Sequence, residues 1–198
     1  GQRMSTYDKM FSEDVGSFFR SPVREIFKRV DLNAIYSFAG GYPSAETFPL
    51  EEIRKTMSEV IDKYQGKAFQ YGATQGVPEL REAVAARYGV PVERVQITSS
   101  SQQGIDVCTR VLADPGDVIL TSSPSYLGAL QSFCSYRADI RGIAHSSDMK
   151  LFKESYEHEI AKVKTEGKKV KFLYMIPDFQ NPSGESLTLQ EREMLVDL

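Results

Sequence analysis

The chain has 198 residues, of which 41% are hydrophobic, and 24 Lys and Arg against 27 Asp and Glu give a formal net charge of −3. This composition is typical of one large globular domain or slightly more, and it excludes disordered and low-complexity classes. The absence of a basic excess argues against a nucleic-acid partner. No apolar stretch approaches the roughly 20 residues that cross a bilayer, and the polar first fourteen residues contain no apolar signal core, so we expect a cytoplasmic protein with no membrane partner.

The first half of the chain predicts an arm followed by helices. Residues 1–20 are expected to form a loose arm, after which Ser21 as N-cap and Pro22 begin a helix. An extended piece, Ile35 to Ala39, comes next. Two amphipathic helices then follow Pro49 and Pro78, and in the second we expect these residues to face inward: Leu80, Ala83, Val84 and Tyr88.

From about residue 90 onward, short strands alternate with helices. The predicted strands are Val95 to Thr98, Val118 to Thr121, Asp139 to Ala144 and Val170 to Ile176. Helices are predicted after the first strand, with Ile105, Cys108, Val111 and Leu112 as its inner face, then over Tyr126 to Tyr136 and Leu151 to Thr165. This alternation predicts an α/β fold with a mostly parallel sheet. The chain ends in a helix opened by Thr188 and Glu191, which would leave the sheet incomplete, so we expect a fragment.

The two cysteines, Cys108 and Cys134, are isolated from each other and lack the spacing of metal ligands. Both lie in apolar helical contexts. We expect reduced core thiols and no metal site.

The loops after the predicted strands deserve attention because ligands bind at the carboxyl ends of parallel strands. Ser99 to Gly104 leads directly into a helix, whose free N–H groups could bind a phosphate, although a serine there could simply cap the helix. Tyr126 could stack on a planar ligand or only pack over the sheet edge. Asn181, held extended by Pro182, could bind a ligand or belong to a plain turn.

Nucleotide-binding signatures are missing from these loops. The chain has neither G-x-x-x-x-G-K-[ST] nor a G-x-G-x-x-G after a strand. An NTPase or a dinucleotide dehydrogenase is therefore disfavoured.

Seven segments, in this order, resemble the class I/II aminotransferases of fold type I, and most closely the α-aminoadipate and kynurenine aminotransferases. They are Ser21 to Arg24, Ala39 to Pro43, Phe69 to Arg81, Ile97 to Gly104, Asp114 to Val118, Pro124 to Ala129 and Ile176 to Gly184. The resemblance implies pyridoxal 5'-phosphate (PLP) as cofactor and a homodimer with shared active sites. It also implies a three-layer PLP-transferase-like large domain over 66–198, with an incomplete parallel sheet, after a small-domain segment over 21–65.

The resemblance also implies roles for individual residues. Ser101 and Gln102 match positions that hold the cofactor phosphate, Tyr126 matches the aromatic that stacks on the pyridine ring, and Asn181 matches the amide that binds the ring's 3-oxygen. Tyr71 matches a residue that reaches the phosphate in the neighbouring subunit.

The substrate side of the resemblance rests on two further positions. Gly41 lies in the segment that lines the substrate pocket, and Arg24 matches a substrate-binding arginine or is a solvated helix charge. Ser100 departs from the glycine common in the family, which would strain the backbone if φ is positive there.

The implied activity is transfer of an amino group from an amino acid to a 2-oxo acid by a ping-pong mechanism. The lysine that binds PLP covalently, the Asp that pairs with the pyridinium nitrogen and the carboxylate-binding Arg would all fall after Leu198, so the chain itself should be inactive. The lysines from Lys150 to Lys171 are expected to be a solvated face, and His145 is expected to be a surface-loop histidine rather than one that approaches the site.

Three alternatives remain open at this point. One is a PLP-dependent lyase or decarboxylase of the same fold, since one scaffold hosts many chemistries. The second is a non-catalytic ligand-binding domain of a PLP-type regulator, and the third is a degenerate product without activity.

Overall fold

The computed structural model describes residues 6–12, 15 and 43–198. Its helices and strands, numbered in chain order, are α1 (Leu50–Tyr64), α2 (Pro78–Tyr88), α3 (Ser101–Leu112), β1 (Val118–Ser123), α4 (Leu127–Ser135), β2 (Asp139–Ala144), α5 (Met149–Thr165), β3 (Val170–Tyr174) and α6 (Leu189–Asp197). The helix predicted at Ser21 and the extended piece Ile35 to Ala39 lie outside the described residues. The remaining helices and three of the four strands are confirmed.

Two compact units divide the chain at Ser99 and Ser100. The first contains α1 and α2, and the second contains the sheet with α3 to α6. The predicted domain limits at residues 20 and 65 stay a prediction.

The sheet of the second unit has three parallel strands in the order β2-β1-β3. The chain therefore runs from β1 to β2 on one side of it, and then crosses back over β1 to β3 on the other side. Because parallel crossovers are right-handed almost without exception, this reversal sends the two connecting helices to opposite faces of the sheet.

The core confirms this three-layer arrangement. Ile119 of β1 packs with Ala129 and Phe133 of α4 on one face. The neighbouring β1 residues, Val118 and Leu120, pack on the other face with α5 and α6, because side chains of a strand alternate. The predicted mixed α/β fold with a parallel sheet is therefore confirmed.

The predicted strand Val95 to Thr98 is wrong. Val95 has an extended backbone, but the segment pairs with no strand among the described residues. The Ile97 N–H instead donates to the Gln75 carbonyl at 3.0 Å, and the Arg81 guanidinium donates to the Val95 carbonyl at 2.9 Å. A β-compatible sequence without a neighbouring strand remains a loop.

The inner face predicted for α3 is correct for Ile105, which packs against the cluster of Ile119, Ala129 and Phe133, but wrong for the other three residues. Cys108 is exposed and Val111 is 75% exposed, whereas Thr109 is fully buried. The side of α3 that meets α4 carries Gln102, Asp106 and Thr109, because hydrogen bonds fix it there: Gln102 donates to Ser132, and Asp106 accepts from Tyr136. Hydrophobic periodicity detects only the apolar stripe of α3, which lies next to this polar side.

Other apolar positions also depart from expectation. Cys134 is half-buried, and both cysteines are free thiols, so the core assignment fails for Cys108. On α2, Leu80, Ala83 and Tyr88 are exposed rather than inward, while Ala85 is buried.

Candidate active site

The reversal of strand order places a crevice outside the carboxyl ends of β1 and β3. Open parallel sheets bind ligands at such a switch point, because the loops that follow the two strands diverge to opposite faces. The loop after β1 carries Tyr126, and the loop after β3 carries Asn181. The topology therefore brings two of the predicted cofactor-binding residues to one edge of the sheet.

Side-chain hydrogen bonds confirm that these two loops meet. Gln180, only 8% exposed, donates from Nε2 to the Pro124 carbonyl at 2.8 Å and to Ser122 Oγ at 3.2 Å. Asn181 is exposed and makes no hydrogen bond to the described residues, so its amide is available to a ligand.

The ring of Tyr126 lies over the start of α4. It is half-buried against the cluster of Ile119, Ala129 and Phe133. A Cβ added at Gly128 would lie 2.6 Å from both Cζ and Oη of Tyr126, so the ring occupies the space that the glycine leaves. The structure thus shows Tyr126 packed at the sheet edge.

Two hydroxyl side chains near Tyr126, those of Ser125 and Tyr174, add to the polarity of this edge. Ser125 Oγ is buried without a hydrogen-bond partner among the described residues. Burial raises the pKa of Tyr174, and the nearby Tyr126 raises it further, so the Tyr174 phenol stays neutral at physiological pH.

The amino end of α3 provides the third part of the site. Ser100 is the N-cap with φ 160° and ψ 172°, an extended backbone that any residue adopts, so the strain considered for a positive φ does not arise. The Ser100 side chain makes no capping hydrogen bond, and no acidic residue lies in the first turn. The N–H groups of the first turn have no carbonyl partner within the helix, and the helix dipole makes this end positive. Ser101, the first helical residue, is exposed there.

The side chain of Gln102 is turned into the protein. Its Nε2 donates to the Gly128 carbonyl and to Ser132 Oγ, both at 2.9 Å. What Gln102 can offer an anion is therefore its backbone N–H. Its side chain instead fixes the first turn of α3 against the first two turns of α4.

These features fit a flat, phosphorylated cofactor. A positive helix end without acidic residues suits a phosphate, an aromatic side chain flanks the edge of the sheet, and a free amide on the opposite loop can bind a ring oxygen.

Of the other predicted site residues, the structure describes Tyr71. Tyr71 belongs to the first compact unit and is fully exposed, and its N–H donates to Gln70 Oε1 at 2.9 Å. Arg24 and Gly41 lie outside the described residues.

Sequence analysis did not predict the role of Arg192, which binds both ends of the loop from Pro177 to Leu187 that contains Asn181. Its guanidinium donates to the Leu187 carbonyl at 3.0 Å and to the Pro177 carbonyl at 3.2 Å, and it pairs with Asp178 at 2.6 Å. The position of Arg192, four residues after a predicted N-cap, gave no sign of this contact.

His145 lies in the loop after β2, as predicted, but its side chain is half-buried rather than solvated. Its Nε2 lies 2.8 Å from Glu191 Oε1, and its ring is edge-on to Phe152 at 5.0 Å. Burial by itself raises the pKa of Glu191, but hydrogen bonds from His145 and Thr188 outweigh it, so the pKa of Glu191 lies below its ordinary value.

Over the ranges that the structure describes, no three His, Cys, Asp or Glu residues are grouped so that they could hold a metal ion. None of the helices in those ranges is long and apolar enough to cross a membrane.

Two curated proteins with similar sequences carry aminotransferase names. Aromatic-amino-acid aminotransferase 1 of Thermococcus litoralis is 40% identical over 198 residues, which covers 97% of this chain and 47% of that protein. The 2-aminoadipate transaminase of Thermus thermophilus is 33% identical over 196 residues, which covers 98% of this chain and 47% of that protein. The chain thus spans about half the length of these relatives.

A solved structure agrees with the sequence comparisons. Kynurenine aminotransferase of Pyrococcus horikoshii, crystallised in a complex with PMP, matches with a TM-score of 0.84 at 38% identity, covering 97% of this chain and 48% of that one. Residues 38–198 match the family of class I and II aminotransferases. The resemblance inferred from the seven segments is therefore confirmed, and this chain belongs to the class I and II aminotransferases.

Proposed function

We propose that this chain is the N-terminal part of a PLP-dependent enzyme that transfers an amino group from an amino acid to a 2-oxo acid by a ping-pong mechanism. The observation that carries this proposal is the convergence of three loops through two side-chain contacts, Gln102 with Gly128 and Gln180 with Pro124. They bring an anion-binding helix end, an aromatic ring and a free amide together in one unit.

In this proposal each loop binds a different part of the cofactor. The N–H groups at the start of α3 and the Ser101 hydroxyl bind the phosphate, the Gln102 side chain supports that turn, Tyr126 stacks on the ring, and Asn181 donates to the 3-oxygen. Bound PLP supplies the electron sink for the reaction. The similar Pyrococcus horikoshii enzyme was crystallised with PMP, which supports this choice of cofactor.

We further propose a homodimer in which Tyr71 reaches the phosphate of the partner's cofactor. Tyr71 is fully exposed, and Phe69 beside it is 76% exposed. An apolar groove on the same compact unit, lined by Ile53, Met57, Val60, Ile61 and Phe69, supports this proposal. Apolar groups that recur on one exposed surface are typical of a protein interface.

The substrate contacts are part of the same proposal. Arg24 and Gly41 are expected to line the substrate pocket, and the domain limits at residues 20 and 65 to separate arm, small-domain segment and large domain. The expected cytoplasmic location also stays a prediction.

The test uses the intact protein that contains this chain. Incubated with one amino acid and no acceptor, it should release 2-oxo acid only up to one equivalent per PLP, and an added 2-oxo acid should restore continuous turnover. The control is the same assay without the amino acid. Continuous release of CO2 or oxo acid without an acceptor would refute transamination and support the lyase or decarboxylase alternative.

A further inference from the structure

Asn181 depends on its loop for its position, because it makes no hydrogen bond to the described residues. An exposed side chain without partners is positioned only as precisely as the backbone beneath it. The preceding residue, Gln180, is in contrast buried and fully hydrogen-bonded. We propose that Gln180 is a positioning residue that fixes Asn181 relative to Tyr126. This inference rests on the proposed PLP function.

The Gln180 amide has a partner at each end. Its Nε2 donates to the Pro124 carbonyl at 2.8 Å and to Ser122 Oγ at 3.2 Å, and its Oε1 accepts the Ser183 N–H at 2.7 Å. The opposite amide orientation would place oxygen against the Pro124 carbonyl and NH2 against an N–H donor, so these partners fix the orientation. The amide therefore joins its own loop to the loop before Tyr126.

The backbone around Gln180 closes the rest of the loop. The Gln180 N–H donates to the Glu185 carbonyl at 2.8 Å, and the Gly184 N–H donates to the Gln180 carbonyl at 2.6 Å. Arg192 holds the loop ends at Pro177 and Leu187. These bonds shape the loop internally and against α6, but none of them reaches the Tyr126 loop.

Within the described residues, every hydrogen bond that joins the two loops passes through the Gln180 side chain. Pro124 lies two residues before Tyr126, and Gln180 lies directly before Asn181. A rigid cofactor that contacts both residues requires their separation to be fixed within a fraction of an ångström. The buried amide provides that constraint.

Gln180→Glu in the intact protein tests this role. The carboxylate still accepts from Ser183 but opposes the Pro124 carbonyl without a donor. We expect the Kd for PLP to rise about tenfold, the loss expected when one or two buried hydrogen bonds fail. The pH midpoint of the bound cofactor's absorbance should rise as in Asn181→Ala, because a lost N–H donor destabilises the anionic 3-oxygen. Gln190→Glu, an exposed change of the same type on α6, should move neither value.

Gln180→Met is the second variant, because it keeps the length of the side chain without an amide or a charge. It should raise the Kd for PLP and the pH midpoint of the bound cofactor's absorbance, as Gln180→Glu does. In the double variant with Asn181→Ala, the midpoint should equal that of Asn181→Ala alone, since the amide acts through that residue.

The outcomes separate this inference from the proposed function. Gln180 variants that lose thermal stability, yet keep the Kd and midpoint of the Gln190→Glu control, would show a merely structural role and overturn the inference alone. A wild-type protein that does not bind PLP would refute the proposed function and, with it, this inference.

Discussion

Gly128 shows how a single missing side chain shapes the candidate site. A Cβ at this position would collide with Gln102 Oε1 and lie 2.6 Å from the ring of Tyr126. The proposed ring contact of Tyr126 and the supporting role of the Gln102 side chain therefore both depend on this glycine. Neither side chain can withdraw freely, because Gln102 is hydrogen-bonded to α4 and Tyr126 is packed against the α4 cluster.

Gly128→Ala should destabilise the protein although alanine favours helices. The gain in helix propensity is about 1 kcal/mol, whereas overpacking against two fixed side chains costs about 1–3 kcal/mol. We expect a lower free energy of unfolding in urea and a weaker affinity for PLP. Gly66→Ala is the matched control, because its Cβ would meet nothing within 4 Å. Equal stability of the two variants would contradict the packing described for Tyr126.

At the scale of elements, a cluster of charges joins β2, α5 and the turn after α5. The Arg141 guanidinium pairs with Asp139 at 2.7 Å, with Glu159 at 3.0 Å and with Glu166 at 2.6 Å, and Lys168 also reaches Asp139 at 2.6 Å. Hydrogen bonds from Arg141, and secondarily from Lys168, lower the pKa of Asp139 to about 2 against the opposing effect of burial.

Asp139 should therefore make stability depend on pH in the acid range. Its pKa is lower in the folded than in the unfolded chain, so its contribution is complete above about pH 4 and is lost as the pH falls toward 2. We expect Asp139→Asn to lower the free energy of unfolding by up to about 2 kcal/mol at pH 7, and this difference to shrink below pH 4. Urea unfolding across this range measures it. Asp62→Asn, at an exposed position on α1, is the control, and a pH-independent difference for Asp139→Asn would exclude this role of the carboxylate.

At the scale of the whole molecule, the exposed apolar groove on α1 supports the proposed dimer. Met57 lies in the groove and is 61% exposed, while Ser58 is exposed outside it. Met57→Asp should shift the intact protein from dimer toward monomer in analytical ultracentrifugation, because a charge in an apolar interface is desolvated without a partner. Ser58→Asp should leave the dimer intact. A Met57→Asp protein with unchanged mass would remove this groove from the proposed interface.

The 198-residue chain itself tests the expectation that none of its own lysines binds PLP covalently. Treated with PLP and then borohydride, it should show no stoichiometric adduct at a single lysine, since the covalent lysine is expected after Leu198. Mass spectrometry of the digested chain measures this. One uniquely modified lysine at full occupancy would mean that the essential lysine lies within these residues.

The sequence by itself determined the elements whose signals are local. Capping signals predicted the helix starts at Pro78 and Thr188, and β-propensity predicted the strand Val118 to Thr121. Both effects act over a few residues. The family resemblance, carried by seven short segments, was likewise available from sequence alone.

Only the tertiary structure decided what those elements contact. Val95 to Thr98 has a strand sequence but no neighbouring strand, Cys108 lies on an apolar stripe that does not face α4, and His145 is half-buried because α6 supplies Glu191. The burial of Gln180 was equally invisible, since a polar residue in a loop is ordinarily solvated. Periodicity reports which residues share a face, whereas the partner of that face comes from distant parts of the chain, so pairing, burial and side-chain hydrogen bonds emerge only when the fold brings them together.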